Sequence, residues 1–250
     1  MTLLTVVNDV CAAVGVHQTT SVVANINANR TMAEMLALAN EMAVRIATDM
    51  RDWTMLRKPV TFVGDGVIVP PSNVITGTEA FNLPADYLRM LTNSHVWRST
   101  STLQPMRFIP NTDEWLQRRS ANWQHPWGEW TIYGGQMHIW PIMGVGATAR
   151  FSYLDKNPIA LSGFADGLLH PGDRFIKDED TYRLPERILK LGMIWQWQAN
   201  KGSPYAESMG TWGDAMANAM GTDSPGPIII DRLPISAHAR TAYPWMVPTP

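Results

Sequence analysis

Residues 182–207 read Tyr182-Arg183-Leu184-Pro185-Glu186-Arg187-Ile188-Leu189-Lys190-Leu191-Gly192-Met193-Ile194-Trp195-Gln196-Trp197-Gln198-Ala199-Asn200-Lys201-Gly202-Ser203-Pro204-Tyr205-Ala206-Glu207, and the pattern runs on to Met220-Gly221. The stretch predicts a helical hairpin. Pro185 suits a first helical turn, where its missing N–H is not needed. Glu186 complements the positive end of the helix dipole. Lys201-Gly202 supplies a cation and then a residue tolerant of φ > 0, a helix stop. Ser203 reads as the next cap and Pro204 as the next first position. Met209, Trp212, Met216 and Ala219 recur at spacings of three and four, one helical face. Helices over 184–201 and 203–220 joined by so short a turn pack antiparallel.

Two further helices precede this hairpin. In 3–15, Leu4, Val7, Val10, Cys11 and Val14 share a side and Gly15 is a stop. Thr31-Met32-Ala33-Glu34 reads as a capping box opening a helix over 31–53. Met35, Ala39, Met42, Ile46, Met50 and Trp53 form its apolar stripe, read as core rather than a binding face. Between the helices lies a β region, about 57–176. Val60–Val63 and Val67–Val69 around Gly64-Asp65-Gly66 predict a hairpin. Glu129–Tyr133 and Met137–Trp140 around Gly134-Gly135 predict a second, with Thr148–Tyr153 as its third strand. Residues 102–109 read as another strand, 112–119 as a short helix capped near Thr112, and 161–176 as irregular, extended chain. The expected fold is α+β: an antiparallel four-helix bundle (1–56 and 182–220), an inserted antiparallel β-rich region (57–181), and an extended proline-rich C-terminal arm (221–250).

That arm has no helical period and carries six prolines. Ile228-Ile229-Ile230 and Tyr243-Pro244-Trp245 are apolar islands within it. An ordered tail of this kind needs a surface, and Ile228, Ile229, Ile230, Tyr243 and Trp245 are its anchors. A neighbouring subunit or a partner protein is the expected surface, with packing back onto the chain's own body as the alternative.

Composition bears on partners. A chain of 250 residues buries roughly 70–75% of its unfolded surface, enough for a sizeable core. Net charge is −2, without the basic excess of a general nucleic-acid binder. Charged residues make up 17% against an ordinary value of about 25%, beside 11 Trp and 15 Met. Trp and Met are enriched at protein contacts where Lys and Glu are depleted, so the balance favours an obligate assembly over a well-packed monomer. The single Cys11 excludes an internal disulfide and reads as a small core residue. Asn8-Asp9 interrupts the first apolar run, so no signal peptide is expected, and no stretch approaches the ~20 apolar residues of a membrane span.

Several of these segments resemble one phage family. Aspartates 173, 178 and 180, then Leu184-Pro185-Glu186, an apolar helix with tryptophan, Lys201-Gly202 and a helix opening Tyr205-Ala206-Glu207 resemble the head-to-tail connector adaptors. These are ring proteins placed under the portal, called tail tubular protein A in short-tailed phages. Leu3-Leu4-Thr5-Val6-Val7-Asn8-Asp9 resembles the family's first helix. Arg51-Asp52-Trp53 resembles the end of its second, and Phe81-Asn82-Leu83-Pro84-Ala85-Asp86-Tyr87-Leu88-Arg89 an element of its β region. The resemblance implies a structural virion protein, assembled in the bacterial cytoplasm, with no catalysis and no cofactor. It implies a twelve-membered ring whose partners are itself, the portal protein and the next tail protein. Genome DNA would pass through the channel without sequence-specific binding. The proline-rich C-terminus is longer than the family pattern leads one to expect.

Motifs that carry binding or catalytic chemistry are sparse in this sequence. Gly144-Val145-Gly146-Ala147-Thr148-Ala149 matches a dinucleotide fingerprint, but a β-like run follows where a phosphate-binding helix is required. Asp173, Asp178, Glu179 and Asp180 are the densest carboxylates and read as a solvated loop ahead of a helix rather than a cation site. The six histidines lack metal spacing. Trp115, Trp123, Trp127 and Trp130, near His125 and Arg118-Arg119, form the strongest aromatic cluster. It reads as an interface or core, with a glycan-binding β module of a tail or decoration protein as the rival.

Overall fold

The computed structural model describes residues 2–69, 74–92, 94–100, 104–164 and 168–223. In chain order the elements are α1 (Leu3–Ala13), α2 (Arg30–Asp49), a 3₁₀ turn (Thr54–Leu56), β1 (Arg57–Val63), β2 (Val67–Val69), β3 (Val74–Thr76), β4 (Ala80–Asn82) and β5 (Tyr87–Met90). There follow β6 (Trp97–Arg98), β7 (Arg107–Phe108), α3 (Thr112–Ser120), β8 (Glu129–Tyr133), β9 (Gln136–Trp140) and β10 (Thr148–Asp155). Last come β11 (Ile159–Leu161), β12 (His170–Gly172), β13 (Thr181–Tyr182), α4 (Glu186–Asn200) and α5 (Ala206–Thr222).

The hairpin of α4 and α5 forms as its sequence predicts, and Gly202 takes the left-handed φ of +70° at the turn. The indole N–H of Trp212 donates to the Ile188 carbonyl (3.0 Å), pinning α5 to the first turn of α4. The second cap differs from expectation. Helix α5 begins at Ala206, and Tyr205 at its cap makes no side-chain bond. Lys201 does not cap carbonyls; its ammonium reaches Glu34 of α2 (2.6 Å) and the face of Trp197. Glu34 is thus not the partner of a Thr31 capping box. Asn29 caps α2 instead, accepting from the Thr31 N–H. Helix α2 ends at Asp49, and Trp53 folds back beneath it, fully buried, donating to the Ile46 carbonyl (2.8 Å).

The expected four-helix bundle is overturned. Helix α4 packs against α5, α2 and α1, whereas α1 and α2 touch each other only sparingly, so the helices do not close a bundle by themselves. Their shared core is completed by Leu56, Leu154, Ile159, Phe175 and Tyr182, all from outside the helices. A sheet ordered β12-β11-β13 supplies part of that wall, and the Tyr182 hydroxyl donates to the Ala43 carbonyl of α2 (3.0 Å). A fifth helix, α3, lies away from the others against β8. The physical reason is that the apolar stripes of α1, α2 and α4 together exceed what three neighbouring helices can cover, and nearby strands cover the remainder.

Two strand pairings also depart from expectation. The Gly64-Asp65-Gly66 segment does not join β1 and β2 as a hairpin. Strand β1 pairs antiparallel with β10 over its whole length, and β2 pairs with β3. Gly64 accounts for this: a Cβ there would lie 2.5 Å from Met143 Cβ and 2.6 Å from two backbone oxygens, so the loop is pressed onto residues 143–147. Strand β10 is not the third strand of the Gly134-Gly135 hairpin. That hairpin forms, pairing Tyr133 with Gln136, within a sheet ordered β4-β9-β8-β7, whereas β10 lies between β1 and the pair β5 and β6. Residues 161–176, read as irregular and extended, contain the short strand β12. The Gly144–Ala147 segment leads into β10, and no helix follows it.

The second apolar cluster gathers Phe62, Met137, Ile139, Phe151 and Tyr153 between β1, β9 and β10. Strand β10 links the two cores: Ala149, Phe151 and Tyr153 serve this one, and Leu154, beside an irregularity in its pairing with β5, serves the helical one.

Candidate assembly surfaces

The tryptophan cluster is built by α3 and the strands it leans on. Asn111 caps α3 by accepting from the Asp113 N–H (2.8 Å), and Trp115 is the helix's buried side chain. Trp130, on β8, turns inward beside Phe108 (ring centroids 4.6 Å apart). These two indoles are core. Trp127 is half-buried, and its backbone N–H meets His125 Nδ1 (3.3 Å). Trp123 is 45% exposed. Strand alternation and helix phase therefore divide the four indoles between interior and surface.

The exposed part is organised by two arginines. Arg118 donates to Glu114 one turn earlier and to Glu129 Oε1 on β8 (2.6 Å each), and its guanidinium lies 4.4 Å from the Trp123 ring centre. Arg119 forms a two-pronged bond with Glu79 and lies 3.5 Å over Trp140, whose indole N–H donates to the Trp123 carbonyl (3.0 Å). Planar guanidinium ions suit this combination of forked ion pair and stacking. One face of each indole is thereby taken by a cation whose charge is already balanced. The Glu114–Arg118 pair was readable from its helical spacing; the Arg119–Glu79 pair, formed across 40 positions, was not.

On the opposite face of the β8–β9 pair lies an open apolar groove of about 640 Å³, lined by Tyr87, Met90, Met106, Phe108, Trp130 and Ile132. Phe108 at its rim is 50% exposed. At one end of the first sheet, Val63, Val67 and Val145 are all more than half exposed, and the Val145 N–H bonds the Gly66 carbonyl (3.0 Å). These apolar groups sit on hydrogen-bonded frames and are suited to packing against a partner.

Of the four carboxylates, Asp173 and Glu179 are exposed as a solvated loop requires, whereas Asp178 and Asp180 are structural. Asp180 is fully buried rather than solvated. It accepts from the N–H groups of Ser162, Ile176 and Lys177 (2.7–2.8 Å) and from the Ser162 hydroxyl. Burial alone would raise its pKa, but these four donors outweigh it and hold the carboxyl below the usual range. Asp178 accepts from the Val22 and Val23 N–H groups and the Ser21 hydroxyl, tying the loop after α1 to this segment. Nothing in the acidic spelling alone distinguishes such a loop-binding carboxylate from a solvated one.

A second buried group joins the two cores. Asp155 accepts from Arg183 (2.7 Å), Lys58 (2.8 Å) and the Asn157 N–H. Lys58 also holds Asp86, which accepts from the Tyr153 hydroxyl (2.8 Å). Burial pulls the Lys58 pKa down, but its two carboxylate partners outweigh that and raise it; Asp86 is held low by the same bonds against its own burial. Every strong donor here has a protein acceptor, and the arrangement fixes geometry rather than leaving a reactive group. Among the described residues no cluster of three or more His, Cys, Asp or Glu is arranged to hold a metal ion. No described helix is long and apolar enough to cross a membrane.

Ile228, Ile229, Ile230, Tyr243 and Trp245 lie outside the described residues. What is described is where the arm departs. Asp223 closes α5, its carboxylate accepting from the Thr54 N–H (2.9 Å) and its carbonyl from the Thr54 hydroxyl (3.0 Å). The Arg51 guanidinium bonds the Met220 carbonyl on the same turn.

Residues 1–230 of the sequence match one family model, described as SU10 adaptor protein. No curated protein matches the chain.

Proposed function

Because the chain belongs to the SU10 adaptor protein family, a family of phage head–tail adaptors, we propose that it forms a ring beneath the portal, extends the DNA channel and docks the tail. Membership alone makes it a structural phage adaptor and a virion component that contacts other virion proteins. The family match over residues 1–230 is the observation that carries the finer reading. In a ring each subunit meets its neighbour through two different patches, so the surface must offer at least two separate adhesive regions. The Trp123–Trp140 arginine surface, the apolar groove on the other face of those strands, and the valine tip at residues 63, 67 and 145 are three such regions. The helical core around α4 forms the ring body, the β region faces the next tail component, and the arm from 221 to 250 reaches the portal.

Native mass spectrometry of the purified chain, alone and mixed with its portal, tests this. The expected species has about twelve times the 27.9 kDa protomer mass, the closed ring being set by the subunit interfaces. A chain that stays monomeric in both samples would overturn the ring. Deleting residues 221–250 is expected to leave ring formation intact and abolish portal capture.

A further inference from the structure

The valine tip is both exposed and rigidly held. Val63, Val67 and Val145 are 58%, 55% and 72% exposed. They crown two loops laced together by backbone bonds. The Gly64 N–H donates to the Ala147 carbonyl (2.7 Å), Gly66 to Met143 (2.9 Å), Val145 to Gly66 (3.0 Å) and Gly146 to Gly64 (3.1 Å). Valine has little χ1 freedom, and a backbone tied in this way has little of its own, so burying the tip loses little entropy. Asp65 is the only charged residue of 60–68 and 143–149. It is exposed at the tip, its carboxylate accepting from the Thr78 N–H and hydroxyl (2.6 Å each).

The apolar groove is the tip's counterpart in shape and charge. Its aromatic and methionine walls include no acidic residue. A depression of about 310 Å³ adjoins it, sharing Ser94 and His95 and lined also by Trp97 and Arg150. Arg150 is exposed, and among the described residues it has no acidic partner. Tip and groove lie apart on the molecule. The tip caps the Thr148 end of β10, whereas Met90 and Tyr87 stand beside Tyr153 and Asp155, roughly 17 Å along that strand. Because the tip is a fixed continuation of β1 and β10, it does not reach its own chain's groove. We propose that the valine tip of one subunit seats in the groove of the next copy of this chain, with Asp65 turned toward the Arg150 end. This rests on the ring reading and names its subunit contact. Adaptable methionine and aromatic walls accept the valines by shape, and the acid–cation pair fixes which way round the tip enters. The contact joins two different patches, so each subunit gives a tip to one neighbour and a groove to the other, as a ring requires.

Two exposed substitutions in the full chain test it. Val145→Asp blunts the tip and Phe108→Asp blocks the groove, and an unchanged urea midpoint reports that each protomer is folded. Should Phe108→Asp lower that midpoint, His95→Glu on the exposed rim, which sets an acid against Asp65, takes its place. Native mass spectrometry over a concentration series reads assembly in whichever sample, with or without portal, the parent forms its ring. Each variant alone is expected to need about tenfold or more chain than the parent to assemble. The mixture is the sharper test. One variant keeps only its groove and the other only its tip, so together they can make one sound contact. At concentrations where each alone is monomeric, the mixture is expected to give a species of twice the protomer mass and nothing larger. Rings formed by either variant at the parent's concentration, or a mixture that yields no dimer, would overturn this contact and leave the ring reading standing. A parent that stays monomeric in both samples would overturn the two together.

Discussion

Asp180 shows how much one side chain can organise. Its two oxygens take three backbone N–H groups and a hydroxyl, and so fix the entry to β13 and α4. Removing the charge is costly because the donors stay buried. Asp180→Asn is expected to lose about 1–3 kcal/mol at neutral pH, read from urea unfolding. The pH dependence follows from the sign of the shift. The folded carboxyl is held below its unfolded value of about 3.9, so the unfolded chain binds the extra proton in the acid range. The contribution is complete above that value and is lost as pH falls through the folded one. The decline of stability below about pH 4 is therefore expected to be shallower in Asp180→Asn than in the parent. Gly64 makes the complementary point about space: the atoms a Cβ would meet include backbone, which cannot swing aside. Gly64→Ala is expected to cost about 1–3 kcal/mol and to loosen the valine tip, visible as a lower urea midpoint and faster amide exchange at Val145. Neither role is spelled in the sequence, where Asp180 is one acid among several and Gly64 an ordinary turn residue.

At the scale of elements, α4 is the member all other core helices lean on, and its own sequence says why. Ile188, Leu189, Gly192, Met193, Trp195 and Trp197 are buried on several sides, more than a one-faced surface helix would hide. Gly192 lies where α2 and α5 both approach: a Cβ there would come 2.6 Å from Met42 Cε and 3.1 Å from Trp212 Nε1. Gly192→Leu is expected to force these helices apart and lower thermal stability, whereas Gly192→Ala, relieved by a turn of the flexible Met42 end, is expected to fall near the parent. The helical periodicity and the Gly134-Gly135 hairpin were legible because their causes are local, whereas the capping residues read at Thr31, Lys201 and Ser203 were not the ones used. The partners of β1 and β10 were not legible. Three or four residues with the right alternation admit several partners, and close packing around Gly64 selected a distant one.

Across the whole molecule, the two apolar clusters share β10 and are clamped by Lys58, Asp86, Asp155 and Arg183. Asp155 is fully buried, so its removal leaves cations facing one another without their common acceptor. Asp155→Ala is expected to cost about 3–5 kcal/mol, measured by denaturant unfolding, and to weaken the coupling of the helical core to the strands. In the ring we propose, the same substitution is expected to reduce the twelve-membered species in native mass spectra before it unfolds the protomer.

The sequence by itself determined the helices, the turn at Gly202, the Gly134-Gly135 hairpin and the adaptor resemblance. Each is carried by neighbours within a few positions, where periodicity and turn chemistry act directly. Tertiary structure alone decided how these pieces meet. It broke the expected bundle open so that strands could finish the helical core, and it sent β1 to β10. It also placed Trp115 and Trp130 inside while leaving Trp123 out, and turned an acidic loop into a buried hydrogen-bond hub. Those outcomes depend on volume, on unpaired backbone donors and on contacts spanning many tens of residues. Such terms are settled only when the whole chain packs at once.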